Sequence, residues 1–167
     1  MSEKMRRRCT TILLLVSFIP FYSSLSLADQ FKVIQVNSGD IIKVTDSNKA
    51  IIVRLVGIDA PEQGQPFNHR ARTHLTDLIL HRTVFIFEYE KGLKNSLVGE
   101  VFLKGRSINI EMLKAGLAEV YRGVPPKKLD LIQYLIIEQA AREAKRGMWV
   151  LGDHYISPSV WRLRNRR

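Results

Sequence analysis

The apolar and polar positions of the chain fall into two regimes. Up to about residue 103, short apolar runs are cut by turn residues; beyond it, apolar residues recur at helical spacing. Residues 31–36 are rich in β-formers and close on Asn37-Ser38-Gly39-Asp40, a turn signal. Residues 41–45 resume the strand pattern, and Asp46-Ser47-Asn48-Lys49 reads as a hairpin loop. Residues 50–58 form an apolar strand broken only by Arg54 and Gly57, and Asp59-Ala60-Pro61-Glu62 ends it because proline cannot serve a central ladder. Phe67, Ala71, Leu75, Leu78 and Ile79 repeat at helical spacing, and residues 83–87 and 97–103 read as two more strands. A short helix is predicted over 108–115 with Gly116 at its C′ position. A longer one is predicted over 129–146, with Ile132, Leu135, Ile136, Ala140 and Ala144 turned inward. This order predicts an α+β domain: a five-stranded OB-fold β-barrel with about three helices.

Ahead of this pattern stands a different segment. Lys4, Arg6, Arg7 and Arg8 precede an apolar run over 11–21, and Ser26-Leu27-Ala28 supplies small residues at its end. Residues 1–28 therefore read as a secretory signal peptide cleaved after about Ala28. The competing reading, a membrane anchor, is disfavoured: the run is shorter than the ~20 residues a span needs, and Pro20 interrupts it. Cleavage predicts a periplasmic or secreted protein with no stable membrane association.

Composition sharpens this picture. The chain of 167 residues carries 26 Lys+Arg against 16 Asp+Glu, a net charge of +10, which points to a polyanionic partner. Without residues 1–28 it keeps 22 basic and 15 acidic side chains and loses Cys9, its one cysteine. A disulfide framework and a cysteine-based zinc site are thereby excluded. His69, His74, His81 and His154 have no zinc-like spacing. Residues 29–150 are predicted as the folded domain and 151–167, with four arginines from Arg162 onward, as a basic C-terminal tail.

Three carboxylates stand at turns: Asp40 beside Gly39, and Asp59 and Glu62 bracketing Ala60-Pro61. Taken singly, each is accounted for by its turn or by solvent. Brought together they would repel one another, and a hard cation such as Ca²⁺ relieves that through oxygen ligands. Arg54 is the one charge inside an apolar strand. Its guanidinium needs a carboxylate of the protein or a phosphate of a ligand.

Gly39-Asp40 followed by Arg54-Leu55-Val56-Gly57-Ile58-Asp59-Ala60-Pro61-Glu62 resembles the staphylococcal (thermo)nuclease family. The likeness continues through Gln65-Pro66-Phe67, Ala71-Arg72, Asn109, Leu113, Gly116-Leu117-Ala118 and the closing Gly147-Met148-Trp149. The resemblance implies a Ca²⁺-dependent nuclease that hydrolyses phosphodiester bonds of DNA and RNA, single strands preferred, with little sequence specificity. It implies Asp40 and Asp59 as metal ligands, Glu62 as the group that orients or deprotonates the attacking water, and Arg54 as the phosphate clamp. A monomer is expected.

Two departures qualify the resemblance. The first acidic turn reads Asn37-Ser38-Gly39-Asp40-Ile41, so a carboxylate and a hydroxyl of the family pattern are missing. The family's second phosphate-binding arginine aligns with Ser96, and no arginine lies between Arg82 and Arg106. Loss of such a cation costs on the order of 10³–10⁵ in rate, and Lys94, the nearby basic residue, lacks the guanidinium fork. A slow enzyme is therefore predicted, with a catalytically impaired OB-fold nucleic-acid-binding module as the alternative. Tyr121 and Arg122 are further candidates for contacts with a base or a phosphate.

Overall fold

The computed structural model describes residues 30–46 and 49–165. The segment read as a signal peptide lies outside them, as do Ser47 and Asn48 of the predicted hairpin loop. The strands are β1 (Gln30–Val36), β2 (Ile41–Thr45), β3 (Ala50–Leu55), β4 (Ile58–Asp59), β5 (Thr83–Lys91), β6 (Ser96–Leu103), β7 (Arg106–Ser107) and β8 (Glu119–Val120). The helices are α1 (Asn68–Ile79), α2 (Ile108–Lys114), α3 (Ile132–Glu143) and α4 (Pro158–Arg164), with a 3-10 segment at Gly147–His154.

Strands β3-β2-β1-β5-β6 hydrogen-bond in that order, and β3 then pairs in parallel with β6 to close a mixed five-stranded barrel. This is the predicted OB-fold architecture in an α+β domain. Alternation supplies the core: Phe31, Val33, Val44, Val53, Leu55, Val84, Ile86 and Val101 are buried from five strands. In β1 the register shifts between Val33 and Gln35, and this bulge brings Val36 rather than Gln35 to the core. Helix α1 lays Ala71, Leu75 and Ile79 against the barrel, the stripe its periodicity predicts.

The apolar strand predicted over 50–58 is divided in two. Gly57 takes φ 74°, a left-handed conformation that ends β3. A Cβ there would lie 2.9 Å from Leu129 Cδ2 and 3.0 Å from Tyr134 Cε1. Beyond the kink, Ile58 and Asp59 leave the barrel and pair with Val120 and Glu119 of β8. The kink therefore carries Asp59 out of the barrel ladder and beside the barrel's end.

Three expectations are corrected. Among the described residues, four α-helices and a 3-10 segment stand where about three helices are predicted. Helix α3 turns a different face inward: Tyr134, Glu138 and Ala141 are buried, while Ile132, Leu135 and Ile136 are exposed. Glu138 can face inward because it is paired: it accepts a hydrogen bond from Val120 N at 2.7 Å and ion-pairs with Arg122 and Arg142. Finally, the segment expected as a basic tail contains α4, which Ser157 caps by accepting from Val160 N at 3.3 Å, with Pro158 at its first turn.

One buried side chain ties the barrel to its kink. Asn109 is fully buried; its Oδ1 accepts from Val101 N at 3.1 Å and its Nδ2 donates to Val56 O at 2.8 Å. Asn109→Ala strands both backbone groups and is expected to lower stability by about 2–4 kcal/mol, read as a shift of the urea midpoint with unchanged slope.

Candidate functional site

The site begins with β2–β3 register. Ile41 lies opposite Arg54, and Leu55 N donates to Asp40 O at 2.8 Å, so the residue just before β2 is fixed beside the last turn of β3. Val53 and Leu55 point into the core, which leaves Arg54 on the outer face with 42% of its side chain exposed. Gly39 lets the acidic turn sit close: a Cβ there would meet the Cβ atoms of Ala60 and Ala71 at 2.8 Å. Asp40 is consequently 5% exposed.

Asp59 approaches from the other side of the kink and is 1% exposed. Arg54 Nη2 lies 3.4 Å from Asp40 Oδ2 and 3.6 Å from Asp59 Oδ1, so one guanidinium bridges both buried carboxylates. Glu62 is held by its own turn. Its N–H donates to Gln65 Oε1 at 2.9 Å, and its carbonyl accepts from Gln65 N at 2.9 Å. Asn68 Nδ2 donates to Pro61 O at 2.7 Å, pinning the same turn to the start of α1. Asp40, Arg54 and Glu62 line one open cleft of about 350 Å³ with Arg72 at its edge. Arg72 itself donates from Nε to Val36 O at 3.2 Å.

The residue that sequence reasoning missed is Arg162. Its Nη1 donates to Asp59 Oδ1 at 2.9 Å and its Nη2 to Asp59 Oδ2 at 2.7 Å, and Nη1 also pairs with Glu62 Oε1. These hydrogen bonds, that to Asp59 foremost, hold its guanidinium charged well above the ordinary arginine range. The sequence offered one signal for it, the Ser157-Pro158 helix start ahead of the arginines.

Other candidates are placed elsewhere. Lys94 is exposed in the β5–β6 hairpin, and Ser96 donates from Oγ to Leu93 O at 2.6 Å at the start of β6. Ser96 pairs with Ile52, two residues along β3 from Arg54, so the position of the missing arginine is next to the site but carries no charge. Tyr121 lines a separate cavity of about 180 Å³ with Arg54 and Glu90. Arg122 is committed to the carboxylate of Glu138.

Electrostatics single out Asp40. Burial pushes its carboxyl above the usual carboxylate range, the Ser38 hydroxyl (2.7 Å) and Arg54 oppose that, and Asp59 and Glu62 push it further up. These are hard oxygen donors crowded by like charge, a donor set that suits a hard divalent cation. Among the described residues, no group of three His, Cys, Asp or Glu side chains converges as a complete cage. Asp40 and Asp59 are the two carboxylates of this cluster that could hold such an ion.

Comparison with known proteins gives the family of the chain. The family model described as "Staphylococcal nuclease homologue" matches residues 52–150. The chain is 32% identical over 151 residues to an uncharacterized endonuclease of Escherichia coli O157:H7, covering 90% of this chain and 95% of that protein. It is 30% identical over 155 residues to an uncharacterized endonuclease of Haemophilus influenzae, covering 90% and 84%. It is also 30% identical over 174 residues to Protein ParB of Escherichia coli, covering 96% and 92%. The family match and the endonuclease-named relatives define the class, a hydrolase of the nuclease type. The chain belongs to the family of staphylococcal nuclease homologues.

Asp40 gives a test of the electrostatics. A carboxyl whose folded pKa is raised contributes stability that is present below its unfolded pKa and is lost as pH rises through the folded value. In the presence of a chelator, Asp40→Asn removes that loss. It is expected to be more stable than the parent at pH 7, with the difference vanishing towards pH 3 in urea melts.

Proposed function

We propose that the protein is an exported, Ca²⁺-dependent nuclease that hydrolyses phosphodiester bonds of DNA and RNA, single strands preferred, with little sequence specificity. The observation that carries this reading is the convergence of Asp40, Asp59 and Arg54, with Glu62 on the same cleft. A metal ion held by Asp40 and Asp59 would supply Lewis-acid charge to a phosphate oxygen. Arg54 is fixed at its strand but half exposed at its tip, so it can receive a phosphodiester and offset the charge that builds on its equatorial oxygens. Glu62, on a turn braced by Gln65 and Asn68, takes the proton of the attacking water or holds that water in line.

Ser96 supports the further reading that the enzyme is slow, because it places a neutral hydroxyl engaged with Leu93 O at the family's second arginine position. The same observation favours the alternative of an impaired nucleic-acid-binding module. Digestion of heat-denatured DNA by the purified protein, with calcium and with a chelator, separates the two. Calcium-dependent cleavage that falls about 10²–10⁴-fold in Glu62→Gln supports the enzyme. DNA retention without cleavage under either condition supports the module.

Export rests on the leader pattern of residues 1–28. Expression with the intact leader is expected to yield a periplasmic or extracellular protein whose mass begins at Asp29. A full-length mass confined to the membrane fraction would overturn export by cleavage.

A further inference from the structure

Arg162 covers both carboxylate oxygens of Asp59, at 2.9 and 2.7 Å, and reaches Glu62 with the same guanidinium. Such a two-pronged pair is among the stronger ion pairs a protein makes, and its partner Asp59 has a side chain only 2% exposed. Arg54, by contrast, stands 3.6 Å from one Asp59 oxygen only. The arginine of the barrel therefore leaves Asp59 an oxygen to share, and the arginine of α4 does not.

The contact is built into the fold. Gln65 Oε1 braces Glu62 while its Nε2 donates to Ile156 O at 2.6 Å, just ahead of α4. A Cβ at Gly64 would lie 3.8 Å from Trp161 Cζ2, so the indole covers the same turn. Helix α4 is thus tied to the turn whose glutamate its arginine holds.

We propose that Arg162 is an internal competitor for the divalent cation: Asp59 can ligate a metal only after the guanidinium yields at least one of its oxygens, so α4 sets the metal concentration at which the site loads. The inference rests on the reading of Asp59 as a metal ligand. Competition is reciprocal: whatever factor Arg162 costs in metal affinity, the bound ion costs in the docking of Arg162. A lysine at this position would compete less, because an ammonium offers a point charge rather than a fork.

Calcium binding by isothermal calorimetry tests it on the purified protein, without substrate. Arg162→Gln is expected to bind calcium about five- to tenfold more tightly than the parent, with Arg162→Lys between them. In chelator, Arg162→Gln should melt at a lower temperature than the parent, since Asp59 and Glu62 lose a counter-charge. Calcium should then raise its midpoint by more than it raises the parent's. Equal or weaker calcium binding by a cooperatively melting Arg162→Gln overturns the competition and leaves the metal reading standing. Calcium bound by none of the three proteins overturns both.

Discussion

Two aspartates buried within reach of one arginine set the terms for the rest of the molecule. A carboxylate removed from water is costly unless hydrogen bonds and counter-charges replace the solvent, and Asp40 and Asp59 are 5% and 1% exposed. Three groups supply the replacement: the Ser38 hydroxyl on Asp40, Arg54 between the two, and Arg162 on Asp59. The backbone places the groups involved. Ser38 needs the tight turn that Gly39 permits; Arg54 needs the β2–β3 register; Asp59 needs the kink at Gly57 that takes the chain out of the barrel.

A second layer of buried acid lies behind the first. Glu119, opposite Asp59 in the β4–β8 pair, is 2% exposed and accepts from the Tyr155 hydroxyl at 2.7 Å. Burial pushes the Glu119 carboxyl up, and burial beside Glu119 pushes the Tyr155 phenol up, so the phenol keeps its proton to donate. Glu138 of α3 takes Val120 N and two arginines, and one of these, Arg142, lies 3.8 Å above the Trp149 ring. This layer fastens α3 and the 3-10 segment to β8 through polar contacts as much as apolar ones. The chain beyond is thereby aimed at the cleft, and Arg162 arrives where Asp59 needs it.

What the sequence made legible follows from how local each feature is. Asp40, Arg54, Asp59 and Glu62 stand out because turns and a lone strand charge mark them within residues 40–62, and because that stretch carries the family resemblance. The face of α3 could not be read from its apolar residues. Ile132, Leu135 and Ile136 make the better hydrophobic stripe, yet the kink at Gly57 packs against Tyr134, and the arginines draw Glu138 inward. Arg162 was illegible for a different reason. Its partners lie 100 and 103 residues earlier in the chain, and a seven-residue helix is too short for periodicity to announce which side it buries.

The two arginines that neutralise the site differ in how firmly they are held, and this difference has consequences for the chemistry. Arg54 belongs to a strand paired on both edges, with β2 on one side and β6 on the other, so moving it would open the barrel. Arg162 belongs to a helix whose one buried residue is Pro158 and whose Leu163 is 63% exposed. Besides Trp161 over the Gly64 turn, α4 is held by the polar contacts of Arg162 to Asp59 and Glu62, with Gln65 bound to Ile156 O just ahead of it. On the proposed reading, the arginine that would clamp phosphate stands in the sheet, and the one that would yield to a metal ion stands on a helix with one buried residue.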